Sequence, residues 1–131
     1  MLDATKCGDA EEVGNILDQG INPNIKDETG TTPLHLAAQE GHDGIVQILV
    51  KFLAQPNAKN CYGSTPLHEA AKQQNPNCVR LLLKDGADPK ITDDSGSIPL
   101  HYADNDEIVR LLLGMGQPAE QDVESKVVSF C

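Results

Sequence analysis

This chain of 131 residues contains no tryptophan and only four aromatic side chains, two tyrosines and two phenylalanines. It also lacks any apolar run near the roughly 18 residues of a membrane-spanning helix, and no amino-terminal signal peptide is visible. These absences argue against a membrane protein. At 39% hydrophobic residues, the chain is expected to fold as one small soluble domain, most simply in the cytoplasm, although a nuclear location stays open.

Signatures of catalysis are missing as well. No cysteine or serine stands in a recognisable nucleophile motif, and no glycine-rich phosphate loop occurs, so neither an enzyme activity nor a cofactor is expected. The four cysteines, Cys7, Cys61, Cys78 and Cys131, show no CxxC spacing. They are therefore interpreted as free thiols in a reducing compartment.

Positive charge is scarce at both ends of this acidic chain, whose formal net charge is −10. Residues 1–24 carry five acids against Lys6, residues 25–92 carry seven against seven, and residues 93–131 carry eight against Arg110 and Lys126. Such a surface repels phosphate backbones, so direct nucleic-acid binding is not expected, and a partner of the last segment would be basic. Alternatively, the charged ends serve only solubility.

What the chain does have is a 33-residue repeat. Thr32-Pro33-Leu34-His35 recurs as residues 65–68, and its last three residues recur as 99–101. Tetrads ending in Gly30, Gly63 and Gly96 precede the motif, and a common apolar pattern follows it at 45–50, 78–83 and 108–113. A fixed period of this size indicates stacked repeats. A fourth copy at the amino end lacks its hairpin because the chain starts inside its first helix, at residues 2–4.

Each unit is predicted to be a pair of short antiparallel helices. Thr32 is suited to accept from the free amides of a helix start, and Pro33 fits the first helical position. Gly41 ends this first helix with a positive φ, and His42-Asp43 begin the second. The glycine tetrad forms a tight hairpin. Because such helices are too short to be stable alone, each pair must bury its apolar face against the next.

The chain resembles an ankyrin-repeat protein over about residues 2–118, and the copy from Asp27 to Val46 matches the family pattern most fully. The resemblance implies an all-α solenoid of four units, at about 1–24, 25–57, 58–90 and 91–118, with β-hairpin connections, capping terminal units and a tail at 119–131. It departs from the pattern at Leu53 and Gln74, which replace glycines, and in the last unit, where three residues are missing between Leu100 and Val109. A shortened, more polar last helix suits a cap.

Two sets of residues that resemble metal sites are interpreted as structural. His35, His68 and His101 stand one unit apart, about 8–10 Å, which is too far for one ion to bridge. The resemblance implies that each imidazole hydrogen-bonds beside its motif threonine, which Ile98 replaces in the last copy. The acids at 93–94, 104 and 106–107 lack the pattern of a calcium loop and are interpreted as solvated.

The function expected from the resemblance is binding of another protein along a concave surface of hairpin tips and first helices. The matching positions are Glu28, Thr29, Thr31, Gln39, Glu40, Cys61, Tyr62, Ser64, Lys72, Gln73, Asp94, Ser95 and Ser97. Tyr62 is the main anchor candidate, unless its ring lies over its own hairpin. Phe52 and Leu53 form a second possible patch, with packing between units as the favoured explanation.

Two uses of such a module stay open: an adaptor or scaffold, and an inhibitor or immunity-type protein that masks a basic enzyme. The chain is expected to be monomeric by itself. The start inside a helix and the capped last unit favour a complete array. The tail at 119–131 is predicted either to remain mobile or, as the favoured alternative, to fold back on the last unit.

Overall fold

The computed structural model describes residues 2–114 as a row of paired helices. Its elements are α1 (Leu2–Cys7), α2 (Ala10–Asp18), α3 (Pro33–Glu40), α4 (Asp43–Lys51), α5 (Pro66–Lys72), α6 (Pro76–Lys84), a 3₁₀ helix (Pro99–Tyr102) and α7 (Asp106–Leu112). The first helices, α1, α3, α5 and the 3₁₀ helix, pack on one another in order, and the second helices do the same. This confirms the predicted all-α solenoid; the predictions for the tail lie outside the described residues.

The motif threonines begin the first helices as expected. The Thr32 hydroxyl accepts from the His35 amide at 3.3 Å, and Thr65 accepts from His68 at 3.4 Å. Pro33 and Pro66 occupy the first helical positions, where a missing N–H costs nothing. The residues of the motif therefore set where α3 and α5 start.

Asparagines cap the amino ends of the second helices of the last two units. Asn75 accepts from the Cys78 amide at 3.3 Å, and Asn105 accepts from the amides of Glu107 and Ile108. Pro76 follows Asn75 as the first residue of α6. These caps satisfy amides that have no partner inside the helix.

One continuous apolar core runs through all four units. Its fully buried side chains include Val13 in unit one, Leu34 in unit two, Leu67 in unit three and Ile108 in unit four. Burying a side chain of this size is worth about 1.5–3 kcal/mol. Neighbouring units therefore depend on one another for stability. Among residues 2–114, no helix is both long enough and apolar enough to cross a bilayer.

The connections before the motifs differ from the β-hairpins predicted for them. They are tight turns, each closed by one pair of backbone hydrogen bonds, and no strand is present between residues 2 and 114. In the turn of unit two, the Asp27 amide donates to the Thr31 carbonyl at 3.1 Å and the Gly30 amide to the Asp27 carbonyl at 3.0 Å. The chain segments on either side of each turn are too short to pair with each other as β-strands.

Two positions keep a left-handed backbone although their glycine is replaced. Leu53 has φ 67° and Gln74 has φ 55°. The Leu53 side chain is 79% exposed, so the expectation that it packs between units is wrong, whereas Phe52 is half-buried against the core. Leu53 therefore carries backbone strain without burying its side chain.

The Gln74 side chain, by contrast, makes three hydrogen bonds. Its Nε2 donates to the Tyr102 carbonyl at 2.8 Å, and its Oε1 accepts from the amides of Asp104 and Asn105 at 2.9 and 3.1 Å. These groups belong to the connection where three residues are missing in the last unit. A single 3₁₀ turn stands where the other units have their first helix, so the three missing residues shorten the first helix of the last unit. Gln74 satisfies the backbone that this shortening exposes.

Candidate protein-binding surface

Three turns of the same shape lie on one edge of the array. In each, an acidic or amide side chain at the first position accepts from two amides of its own turn: Asp27 at 2.8 and 2.9 Å, Asn60 at 2.9 and 3.0 Å, and Asp93 at 2.9 and 3.0 Å. The Thr29 hydroxyl also bonds to Asp27 and lowers the pKa of that carboxyl. Side-chain bonds thus fix each turn from within.

Backbone hydrogen bonds join the three turns into a ladder. The Cys61 amide donates to the Thr29 carbonyl at 2.7 Å, and the Asp94 amide donates to the Tyr62 carbonyl at 3.0 Å. At Gly63 a Cβ would lie 2.6 Å from Asp94 Oδ1 and 2.9 Å from its amide nitrogen. The turns approach so closely that glycine is required there, both for space and for its φ of 72°.

Two buried histidines join the units beneath this edge. The Thr32 amide donates to His35 Nδ1 at 3.2 Å, so this nitrogen is unprotonated, and Nε2 donates to the Ser64 carbonyl at 2.8 Å. His68 repeats the pattern with Thr65 and with the Ser97 carbonyl at 2.9 Å. Burial is the main cause of the lowered pKa of both rings, which keeps them neutral. The predicted structural role is confirmed for these two histidines.

His101 is the third histidine of the row and the last in the described part of the chain. Its Nδ1 accepts from the Ile98 amide at 3.0 Å, as in the other copies, although Ile98 offers no hydroxyl. The ring is exposed. Across residues 2–114, no group of three or more histidine, cysteine or acidic side chains is arranged to hold a metal ion.

Most of the thirteen residues predicted to bind a partner lie at the surface, on the turns or at the carboxyl ends of α3 and α5. Thr31 and Ser97 are half-buried, and Ser64 is only 2% exposed. Ser64 is a correction: its hydroxyl donates to Glu69 at 2.9 Å and its carbonyl accepts from His35, which holds it inside the joint. We call the other twelve residues the turn face: Glu28, Thr29, Thr31, Gln39, Glu40, Cys61, Tyr62, Lys72, Gln73, Asp94, Ser95 and Ser97.

Sequence reasoning missed two residues next to this surface, Glu69 and Tyr102. Lys72 Nζ lies 3.9 Å from Glu69 Oε2 and 4.9 Å from the centre of the Tyr102 ring, while the Tyr102 hydroxyl donates to Asp93. That bond is the main cause of the lowered pKa of Asp93. A signal existed: Leu36, Glu69 and Tyr102 share one register in three successive repeats, and a position that varies this much within a regular motif indicates that it lies outside the fully buried core.

The opposite side of the array, formed by the second helices, carries a groove between α4 and α6. A cavity of about 350 Å³ there is lined by Gln47, Val50, Leu81, Lys84 and Asp85. Arg80 beside it is paired with Glu107 of the next unit. The groove mixes apolar walls with charges of both signs, so its chemistry favours no particular ligand.

The repeat geometry agrees with comparisons to known proteins. A family model for ankyrin repeats, in three copies, matches residues 1–93. The chain therefore belongs to the ankyrin-repeat family, whose repeats are generally protein-interaction modules and whose members are typically not enzymes.

Individual relatives match over shorter stretches. An ankyrin repeat-containing protein of Schizosaccharomyces pombe is 44% identical over 48 residues, which is 37% of this chain and 23% of that protein. Ankyrin repeat domain-containing protein 46 of Rattus norvegicus is 44% identical over 52 residues, or 40% and 23%. Zygote-specific protein 3 of Chlamydomonas reinhardtii is 44% identical over 50 residues, or 38% and 13%. The matched stretches span less than a quarter of each relative.

Proposed function

We propose that this chain is a binding module that holds a partner protein on its turn face and acts as an adaptor or scaffold. The observation that carries the proposal is the ladder of turns, in which backbone bonds at 2.7 and 3.0 Å hold three successive tips in fixed register. A preorganised surface of this kind loses little conformational freedom on binding, which favours affinity. Tyr62, 65% exposed on this ladder, is the natural anchor.

The chemistry of the interior supports binding over catalysis. His35 and His68 use their ring nitrogens in the joints between units, and Cys78 is buried with its thiol donating to Asp43 at 2.9 Å. Burial and that carboxylate raise the pKa of the Cys78 thiol far above its usual range, which makes it a poor nucleophile. We therefore propose that the chain is not an enzyme and needs no cofactor.

We also propose a monomer that works in a reducing compartment such as the cytoplasm and binds neither nucleic acid nor membrane. Cys7 and Cys61 are exposed and unpaired among the described residues, which suits a compartment that keeps thiols reduced. In the last unit, residues 93–114 carry five acids against Arg110. That charge favours the second candidate function, an inhibitor that masks a basic enzyme, and it disfavours contact with phosphates.

The test is a comparison of two triple variants against a partner recovered by pull-down and then purified. Changing Tyr62, Gln39 and Gln73 together to Ala should weaken binding about tenfold or more, since one anchor can supply about 1.4 kcal/mol. Lys72 is left intact because it contacts Glu69 and Tyr102, so its replacement would change contacts within the array as well as the binding surface.

The matched control replaces Gln47, Lys51 and Lys84, which are exposed on α4 and α6. Both variants should melt within a few degrees of the parent protein. A larger loss of binding in the control would place the interface on the second helices and refute the proposal. Measuring whether the bound partner keeps its own activity then separates adaptor from inhibitor.

A further inference from the structure

An exposed tyrosine and an exposed aspartate occupy neighbouring turns of the turn face. Tyr62 is 65% exposed, and its carbonyl accepts from the Asp94 amide at 3.0 Å. The Asp94 carboxylate lies over Gly63, the residue that follows Tyr62. Its Oδ1 is 2.6 Å from the position that a Cβ at Gly63 would take. The missing side chain at Gly63 thus leaves room for the carboxylate one residue away from the tyrosine.

The exposed Asp94 carboxylate forms no ion pair within the described part of the chain. Asp93 accepts from Tyr102 and from two amides of its own turn. Lys72 is already engaged by Glu69 and by the Tyr102 ring. Within residues 2–114, the ion pairs involve other residues, and Asp94 takes part in none of them.

The surrounding charge adds to the attraction for a cation. Asp93 stays ionised because hydrogen bonds, first of all from Tyr102, lower its pKa. The turns carry four carboxylates, while three exposed lysines precede them in the chain: Asp27, Glu28, Asp93 and Asp94, with Lys26, Lys59 and Lys90. The edge of the array is therefore net negative where Tyr62 projects.

We propose that Tyr62 and Asp94 form a binding site for an arginine side chain in a basic segment of the partner protein. A guanidinium group matches a carboxylate with two parallel hydrogen bonds, and its flat face stacks on an aromatic ring. A tyrosine beside an unpaired carboxylate offers both contacts at once. The inference rests on the proposed function, and it specifies the partner's chemistry at one point of the turn face.

The experiment is an amide NMR titration of the full chain with a probe, Nα-acetyl-arginine methylamide, at neutral pH and low salt. We expect saturable shifts at the amides of Tyr62, Gly63 and Asp94. Asp94→Asn and Tyr62→Leu should each weaken binding about two- to fivefold, which matches the size of an exposed cation–π contact. The control Asp104→Asn removes an equal charge from an exposed site in the same unit and should change binding little.

Four results would overturn the proposal. Shifts spread evenly over all acidic segments would mean charge screening without a site, and unchanged affinity in Asp94→Asn would remove the carboxylate from it. Equal binding of Nα-acetyl-lysine methylamide would contradict the assignment to arginine. If the arginine probe fails while the Tyr62, Gln39 and Gln73 variant still loses the partner, only this inference falls and the proposed function stands.

Discussion

Acid should weaken this array at the two joints made by His35 and His68. Each ring is neutral, with Nδ1 accepting from a threonine amide and Nε2 donating to a carbonyl of the next unit. Protonation would place a second N–H opposite the Thr32 or Thr65 amide and leave that amide without an acceptor. Burial opposes the charged form further, and it lowers the pKa of both rings in the folded state.

The sign follows from proton binding. Unfolded histidine titrates near pH 6.5, and the folded pKa lies lower, so below about pH 6.5 the unfolded chain binds more protons. The stabilising contribution is thus fully present above that pH and is lost as the pH falls. One proton costs at most about 1.4 kcal/mol per pH unit, so two joints give a limiting slope of about 2.7 kcal/mol per unit. Asp27 and Asp93 have lowered pKa values and lose their contribution only below about pH 4.

The assay is urea unfolding followed by far-ultraviolet circular dichroism at pH 7.5, 6.0 and 5.0. The free energy of unfolding should fall between pH 6.5 and 5.0, His35→Gln and His68→Gln should each remove about half of the slope, and the double variant should remove most of it. His101→Gln is the control, because that ring is exposed. A parent protein equally stable at pH 7.5 and 5.0, or a double variant that keeps the slope, would refute the reasoning.

Three further outcomes are expected. Leu34→Ala or Leu67→Ala should cost about 2–5 kcal/mol in urea unfolding, because both side chains are fully buried between units, and a loss below 1 kcal/mol would contradict the shared core. Leu53→Gly should raise stability by about 0.5–1 kcal/mol, since left-handed strain is relieved at an exposed side chain; a lower melting temperature would show that Leu53 contributes packing. Association with a basic partner should slow markedly as salt rises to 0.15 M, where charges are screened within about 8 Å, whereas a rate indifferent to salt would leave the terminal acids as solubility devices.

Features that depend on neighbouring residues in the sequence were predicted correctly, whereas features that depend on contacts between units were missed. Thr32 and Pro33 determine a helix start by themselves, so the starts of α3 and α5 were predictable. Ser64 was misplaced because its burial comes from Glu69 and from His35 of the preceding unit. Turn residues suggested a hairpin, but strand pairing needs longer arms than these loops provide.

The repeat predicted which residues lie on the candidate surface, but not which of them contact one another. The repeat placed Tyr62, Lys72 and Asp94 near the turns, and all three are exposed. The engagement of Lys72 by the Tyr102 ring depends on how the shortened last unit packs on α5. No pattern along the chain reports that packing.

Gln74 makes the last two units mutually dependent in an evolutionary sense. Its strained backbone is acceptable because its side chain bonds to three backbone groups in the unit that lost three residues. A glycine at position 74 would relieve the strain but remove the three hydrogen bonds to those groups. Restoring a full first helix in the last unit would remove the same hydrogen bonds while the strain at Gln74 remained. Each change alone should therefore lower stability, while both changes together should be tolerated. Their effects on the free energy of unfolding should not be additive, so the deletion and the glutamine are expected to occur together.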